Sequence, residues 1–525
     1  MSIFSDVGIA FKKRAMHNLS HEVLQTQKIG QLVPGDIMEV LPGDRIKFNT
    51  DMVVRISPLL APIMSNIDVT THYWFVPNRI IWEDWEEFIT GGKDNDPTTA
   101  PVAPTISITN ASVGSLADYL GVPTGVNSAL SVSALPFRAY AKIYNEWYRD
   151  ENLQNEIGLS LASGVDSTTN TTLMNRCWNK DRFTSALPWP QRGPAVQIPI
   201  GTQNAPVIGN GKSIGVTDGT NLMGLTTVDG GAIKDSTTHY NVAVGTSATT
   251  ISTPGTKVAI GLTTEAGKSG LIADLSSASA TDIRTLRQAF QLQLWAETSA
   301  RTGYRYVENT LANFGVRIPD SRLQRPEFLG GGKSPVVVSE VLQTSSTNTT
   351  SPQGNMAGHA FSAQRSHGFS KTFVEHGFVV MIVNVQPKTM YQQGLDKMWT
   401  RDTKESYFWK VFEHIGEEAI YLKELYATGT SADNNVFGYQ PRYQEYRQME
   451  NKVRGQFKTT LNYWHTGRIF NNAPTLSSAF VTADNVSRIN ADSATDNVYI
   501  DMYHRIHALR PVGRRGNPGY IDHKW

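Results

Sequence analysis

The chain has 525 residues, 10% of them aromatic and 18% charged, and its 48 Lys and Arg are matched by 47 Asp and Glu for a formal net charge of +1. That balance excludes a polycation, so any nucleic acid must be held by local patches, by counterions or by another protein. One cysteine, Cys177, excludes an intrachain disulfide and fits a reducing compartment, and no apolar run approaches the ~18 residues of a membrane helix.

In chain order, residues 1–31 read as an arm lying along a surface, with a basic knot at Lys12, Lys13 and Arg14 and no hydrophobic core of the kind a signal peptide needs. Two Pro-Gly-Asp turns, Pro34-Gly35-Asp36 and Pro42-Gly43-Asp44, are expected to bracket a short strand at Ile37 to Leu41. Arg45 to Ser57 then alternates: Ile46, Phe48, Thr50, Met52, Val54 and Ile56 on one parity, charged and polar residues on the other, Val53 excepted. Asn66 to Val76 repeats the pattern, with Ile67, Val69, Thr71, Tyr73 and Phe75 expected dry and Asn66, Asp68, Thr70, His72 and Trp74 expected wet. Two such strands need a second sheet over their apolar faces, so an all-β sandwich core within one domain, 1–525, is the expectation.

The period changes at Ile80 to Ile89, where Trp82, Trp85 and Ile89 share a helical face and Gly91-Gly92 stop it. Acids Glu83, Asp84, Glu86 and Glu87 at this helix read as solvated charges near its positive end, not as acid/base groups. Residues 93–200 read as a loop and helix insertion: Lys93 to Ser133 as loop, then a helix from Leu135 with Phe137, Tyr140, Ile143, Tyr144 and Trp147 as a packing stripe, then irregular backbone at Arg176 to Gly193. Ile200 to Ala280 is dominated by small and polar residues, cannot build much core, and is assigned at 201–280 to disorder or to a surface protrusion suited to meeting partners. Brief strands are hinted at Tyr240 to Val244 and Lys257 to Ile260. A helix at Asp282 to Glu297, with Ile283, Leu286, Phe290 and Leu294 as its stripe, ends the insert.

Phe378 to Val385 is apolar at both parities, as a strand covered on both faces would be. Lys410 to Ile415 and Asn497 to Arg505 are expected strands, the latter alternating Val498, Ile500 and Met502 against Tyr499, Asp501 and Tyr503. The tail at 510–525 holds Arg510, Arg514, Arg515 and Lys524, either as a solvated arm or as a contact to phosphates or a neighbouring subunit.

Enzymatic motifs do not survive inspection. Gly211-Lys212-Ser213-Ile214-Gly215 has the letters of a nucleophile elbow but sits in the low-complexity insert. Gly330-Gly331-Gly332-Lys333-Ser334 lacks the leading glycine of a phosphate loop, Glu327 standing in its place, and Pro335 follows where a helix should begin. His504 and His507 would bind a metal only on a helix, and their segment reads as strand, so a surface pair is expected. No catalytic residue, metal ligand or cofactor site is assigned.

Thr71 to Arg79 (THYWFVPNR) through Phe88-Ile89-Thr90-Gly91-Gly92 resembles the major capsid protein of microviruses, small icosahedral bacteriophages with single-stranded DNA genomes. Further blocks keep the same order: Pro136 to Tyr140, Ile143 to Trp147, Phe183 to Gln191, Leu286 to Gln293, Arg322 to Gly331, Tyr391 to Leu395 with Met398-Trp399, Phe437 to Gln440, and Pro518 to His523. The resemblance is nearest to the gokushovirus-like branches, whose protein carries a large outward insertion where 201–280 lies. It implies an eight-stranded antiparallel jelly roll with long insertions, T=1 self-assembly around circular single-stranded DNA, a small basic DNA-associated phage protein as partner, a host-cell surface receptor, and location in the virion after assembly in the bacterial cytoplasm. Candidate nucleic-acid contacts are Lys12, Lys13, Arg14, Arg510, Arg514, Arg515 and Lys524. Two rivals share the composition: a carbohydrate-binding or glycoside-cleaving β-sandwich, and a phage spike or receptor-binding protein.

Overall fold

The computed structural model describes residues 14–91, 100–196, 207–209, 214–217, 259–262, 271–273, 283–303, 305–344, 353–365, 368–492 and 495–514. The first strands are β1 (Ala15–Asn18), β2 (His21–Gln27), β3 (Val33–Val40), β4 (Arg45–Leu59), β5 (Ile67–Pro77), β6 (Thr105–Ile108) and β7 (Leu130–Ser133), with helices α1 (Trp85–Thr90), α2 (Leu116–Tyr119) and α3 (Leu135–Ile143) among the last of them. Next come β8 (Val207–Gly209), β9 (Ile214–Thr217), β10 (Ala259–Leu262), β11 (Leu271–Ala273), α4 (Ile283–Thr302) and α5 (Tyr306–Phe314). The chain ends with β12 (Glu327–Pro335), β13 (Val337–Leu342), β14 (Met356–Arg365), β15 (Phe369–Thr372), β16 (Gly377–Pro387), β17 (Glu417–Tyr421), β18 (Val436–Pro441), α6 (Ser478–Val481) and β19 (Val498–Arg510).

Two antiparallel sheets make the centre. One, seven-stranded, runs β1-β19-β4-β14-β13 with β2 on β19 and β15 on β4; the other runs β12-β5-β16-β3. Their facing sides share one core, in which Ile46, Phe48, Met52, Val54 and Ile56 of β4 and Val498, Ile500 and Met502 of β19 join Val69, Tyr73 and Phe75 of β5 and Val379, Met381 and Val383 of β16. Each such side chain contributes ~1.5–3 kcal/mol by leaving water. Across the gap, the Phe48 and Tyr73 rings lie 5.0 Å apart and the Tyr73 hydroxyl donates to Thr50 Oγ1 at 2.7 Å. The chain is thus a mostly antiparallel β protein with few helices, as the alternation in β4 and β19 leads one to expect; Val53, the parity exception, points outward.

The four-stranded sheet is covered on its outer face as well. Trp74, Val76, Phe378, Val380 and Ile382 pack there against Phe137, Tyr140, Ile143 and Tyr144 of the α3 segment. This layer explains why β16 is buried at every position, as its apolar run suggested. It also overturns the wet face expected for β5, where every residue but half-buried His72 is buried. Alternation reports one covered face only when nothing packs on the other, and here a distant aromatic helix does.

Other expectations are corrected. Pro34-Gly35-Asp36 is no turn but a bulge inside β3, whose partners jump from Asp36↔Met381 to Pro34↔Ile382 and leave Gly35 unpaired. A Cβ on Gly35 would lie 2.9 Å from Val383 Cγ2, so any larger residue here would push the buried Val383 side chain aside. Lys410–Phe412 is a 3-10 turn instead of a strand. The Ile80 helix shrinks to α1 after a 3-10 turn at Asn78–Ile80; Trp82 is buried, but Ile89 is exposed. The described part of the amino-terminal arm, from Ala15, is strand paired to β19. His504 is fully buried and only His507 lies at the surface, so they are no surface pair.

Residues 1–192 with 297–525 form one compact unit and 193–296 a second. In the second, the described residues make two antiparallel pairs, β8 with β11 and β9 with β10. Tyr240 to Val244 lies outside the described residues, while the Lys257 to Ile260 hint overlaps β10. The α4 helix forms as expected, yet Ile283, Phe290 and Leu294 of its stripe are exposed rather than core.

Candidate nucleic-acid interface

Of the basic residues singled out in the sequence, Lys12, Lys13, Arg515 and Lys524 lie outside the described residues. Arg14 and Arg510 come together from opposite ends of the chain, because β1 pairs with β19 in the register Ala15↔Arg510. The Arg14 guanidinium lies over Gly43, where a Cβ would come within 3.3 Å of it. Arg510 donates to the Glu39 carbonyl at 2.8 Å, and its Nε stands 3.1 Å from Asp44 Oδ2. Since Asp44 is buried, Arg510 clasps the β3–β4 turn, and most of its charge is already answered there. Arg514 is exposed four residues on.

A second cationic site was not foreseen. His72 and Trp74 of β5, Trp147 and Tyr148, Arg176 to Lys180, and Phe328 of β12 line a cavity of about 460 Å³. Trp147 and Tyr148 reach it because α3 continues as a π-helical turn, Tyr144–Tyr148. The Tyr148 hydroxyl is the hub, 2.7 Å from His72 Nδ1 and accepting from Trp74 Nε1 at 3.2 Å. Trp74 lies 4.7 Å from Trp147 and 5.0 Å from Phe328 between ring centres, and the Arg325 guanidinium sits 4.2 Å over Trp147.

Charge in this cavity comes from Arg176 and Lys180. Lys180 is paired with Asp150, whereas Arg176 donates to the neutral Asn384 at 3.3 Å and has no carboxylate partner among the described residues. Burial, with Arg176 second, holds His72 down at about 4, so the ring is neutral near pH 7. Flat aromatic faces beside one uncompensated guanidinium can stack a base and hold a phosphate. No local period could have revealed it, since four separate segments supply the walls. The aromatic stripe of α3 is packing, as expected, up to Tyr144; its continuation at Trp147 is where it turns toward the cavity.

The third feature is a surface. Trp399 is 70% exposed, Trp409 54% and Val411 83%, alongside Met398, Tyr407, Phe408 and Ile415 in the same stretch. Phe408 packs on Tyr443 at 5.2 Å and Arg401 stacks 4.5 Å over Tyr446, which joins exposed Tyr446 to the patch; Met449, three residues on, is exposed as well. Exposed Trp and Tyr side chains in one stretch, with Arg401 packed beside Tyr446, are the composition of a protein–protein contact.

The profile of the capsid protein (F protein) family matches residues 5–520. The chain is 38% identical over 501 residues to capsid protein VP1 of Bdellovibrio phage phiMH2K, covering 92% of this chain and 90% of that protein. It is 35% identical over 581 residues to capsid protein VP1 of Chlamydia phage 1 (98% and 97% covered) and 34% identical over 534 residues to that of Spiroplasma virus 4 (96% and 95%).

Proposed function

We propose, on the premise that this chain belongs to the capsid protein (F protein) family and is a structural subunit of a microvirus capsid, that its copies close into a T=1 icosahedral shell around circular single-stranded DNA. In this reading an eight-stranded jelly roll lies within the eleven strands of the two facing sheets, assembly takes place in the host cytoplasm, and the virion is the final location. The observation that carries it is the stretch from Met398 to Ile415 with Tyr446 and Met449, where Trp399, Tyr407, Phe408, Trp409 and Tyr446 expose their rings beside exposed Met and aliphatic side chains, as a surface meant for another protein does. A closed shell needs unlike, complementary patches around several axes, and loops hung from a sandwich supply them. Neither a carbohydrate-binding or glycoside-cleaving sandwich nor a trimeric spike accounts for a family match over residues 5–520.

With a net charge of +1 the chain cannot neutralise a genome, which is why a small basic phage protein is the proposed companion. The aromatic cavity at Trp74, Trp147 and Tyr148, together with Arg14, Arg510, Arg514 and the terminal basic residues Lys12, Lys13, Arg515 and Lys524, would hold ordered nucleotides. Trp147→Ala should weaken binding of a short oligodeoxythymidine by ~1–3 kcal/mol, the worth of one base–aromatic stack, with an unchanged salt dependence. Arg176→Ala should lower the slope of log affinity against log salt. Fluorescence anisotropy across a salt series measures both; a Trp147→Ala chain that binds as the wild type rejects the cavity as a base site.

Residues 201–280 are proposed as an outward protrusion that meets the host surface. The unit 193–296 that contains them is compact in itself, so deleting Gly209 to Gly270 should leave the subunit folded, by circular dichroism, while changing attachment of particles to cells. Loss of soluble protein would place the segment in the core instead.

A further inference from the structure

We propose that His21, Asp36 and His504 form a binding site for one divalent cation of the zinc type, which clips the edge strand β2 to the β3 bulge and to β19. Their ligand atoms all lie within 4.8 Å of one another, and His21 Nε2 is 3.5 Å from Asp36 Oδ1. Ligand atoms around a tetrahedral zinc are ~3.3 Å apart, given bonds of 2.0–2.2 Å, so the three groups would have to draw together by at most about 1.5 Å, part of it by rotation of the His21 ring. That ring has room to move, its side chain being 44% exposed, and it leaves an open path from solvent.

The fold puts the three together for separate reasons. His21 and His504 are directly opposed in the β2–β19 register, so their side chains share a face. Asp36 follows the bulged Gly35, whose extra residue re-aims the carboxylate toward that face.

Two buried atoms face this cluster without a hydrogen-bond partner. His504 is fully buried, and its Nε2 has no hydrogen-bond partner; Asp36 Oδ2 is buried and likewise unpartnered. Leaving two such groups dry and unpaired is costly, and a bound cation would satisfy both.

The outer contacts suit coordination. His21 Nδ1 lies 2.9 Å from the Leu19 carbonyl, which can only accept, so the proton sits on Nδ1 and the Nε2 lone pair faces the site. His504 Nδ1 lies 2.9 Å from Thr50 Oγ1, which also accepts from Tyr73. A carbonyl or hydroxyl on the far nitrogen is the usual support of a metal-bound histidine. Two imidazoles and one carboxylate select zinc, cobalt or nickel over magnesium or calcium, which take all-oxygen sets.

The test uses the full chain, stripped with a chelator, dialysed, and titrated with Zn²⁺ or Co²⁺. One ion per chain, a raised melting temperature, and a Co²⁺ visible spectrum that Zn²⁺ abolishes are expected. His21→Ala should cost more than the ~100-fold in affinity that loss of an outer-shell partner costs, whereas His507→Ala, on the opposite face, should change nothing. No stoichiometric ion, no thermal shift, or equal binding by His21→Ala would overturn the site. If His21→Ala fails to fold, wild-type stoichiometry and thermal shift decide.

Discussion

Replacing Trp399 and Trp409 together by alanine is expected to abolish particle formation while leaving a folded, soluble subunit. Trp399 makes no large intrachain burial, and Trp409 is held only loosely, its Nε1 donating to the Lys404 carbonyl at 2.9 Å at the surface. The cost to the isolated fold should therefore be small, within about 1 kcal/mol for surface substitutions away from core features. At an interface the same two side chains act differently. Buried tryptophans are the commonest hot spots, each worth ~2 kcal/mol or more on truncation, and a closed shell repeats the loss at every copy of the contact. Sedimentation velocity reports the assembly and far-ultraviolet circular dichroism the fold. Particles of wild-type yield from the double variant would remove this surface from the interfaces.

Arg138→Ala should destabilise the subunit by ~3–5 kcal/mol, the range for removing one partner of a buried ion pair. Both side chains of the Arg138–Asp166 pair are fully buried, with Nε 2.8 Å from Oδ2. The guanidinium also donates to the Ile81 carbonyl at 3.1 Å and the Ala162 carbonyl at 2.8 Å, so one residue ties α3 to two loops. Asp166 in turn accepts from the Thr168 and Thr169 amides and the Thr169 hydroxyl. Removing Arg138 leaves a buried carboxylate and two carbonyls without their donor. Lysine should not rescue it, having no planar fork to reach three acceptors. Replacing both Arg138 and Asp166 by apolar residues should cost less than removing Arg138 alone; a larger loss in chemical denaturation would contradict the argument.

The same network sets an acid limit. Burial alone would raise the Asp166 carboxyl, but hydrogen bonds from Thr169, Arg138 and Thr168 outweigh it and hold the group below the usual carboxylate range. A carboxyl lower in the folded than in the unfolded chain stabilises fully above the unfolded value, ~3.9 for Asp. That contribution is lost as pH falls through the folded value.

What the sequence made legible was whatever depends on neighbours along the chain. The parity of β4 and β19, the uniform burial of β16 and the packing stripe from Phe137 to Tyr144 all came from local pattern. The aromatic and proline-rich Arg176 to Gly193 is irregular backbone, as read, with Phe183 and Ala186 packed into a third cluster with Tyr391, Ile420 and Phe437. What stayed hidden depends on contacts far apart in sequence. Trp74 reads as wet until Trp147 and Phe328 arrive from 73 and 254 residues away. Asp36 reads as a turn residue because a bulge and a turn share the same Pro-Gly-Asp letters, and only pairing with β16 separates them. His504 reads as half of a surface pair with His507 because strand parity says which residues share a face but not which face is dry. The apolar stripe of α4 shows the reverse: Ile283 and Phe290 have core spacing but surface positions, and spacing cannot tell an intrachain core from a contact with another copy.

Negative-stain electron microscopy of the purified full-length chain, mixed with single-stranded circular DNA and the small basic phage protein, tests the central claim most directly. Uniform closed particles of one diameter, containing this chain as their main component, are the expected result. A field of monomers or small oligomers under those conditions, from a chain shown to be folded, would contradict the assignment of this sandwich to a self-assembling shell.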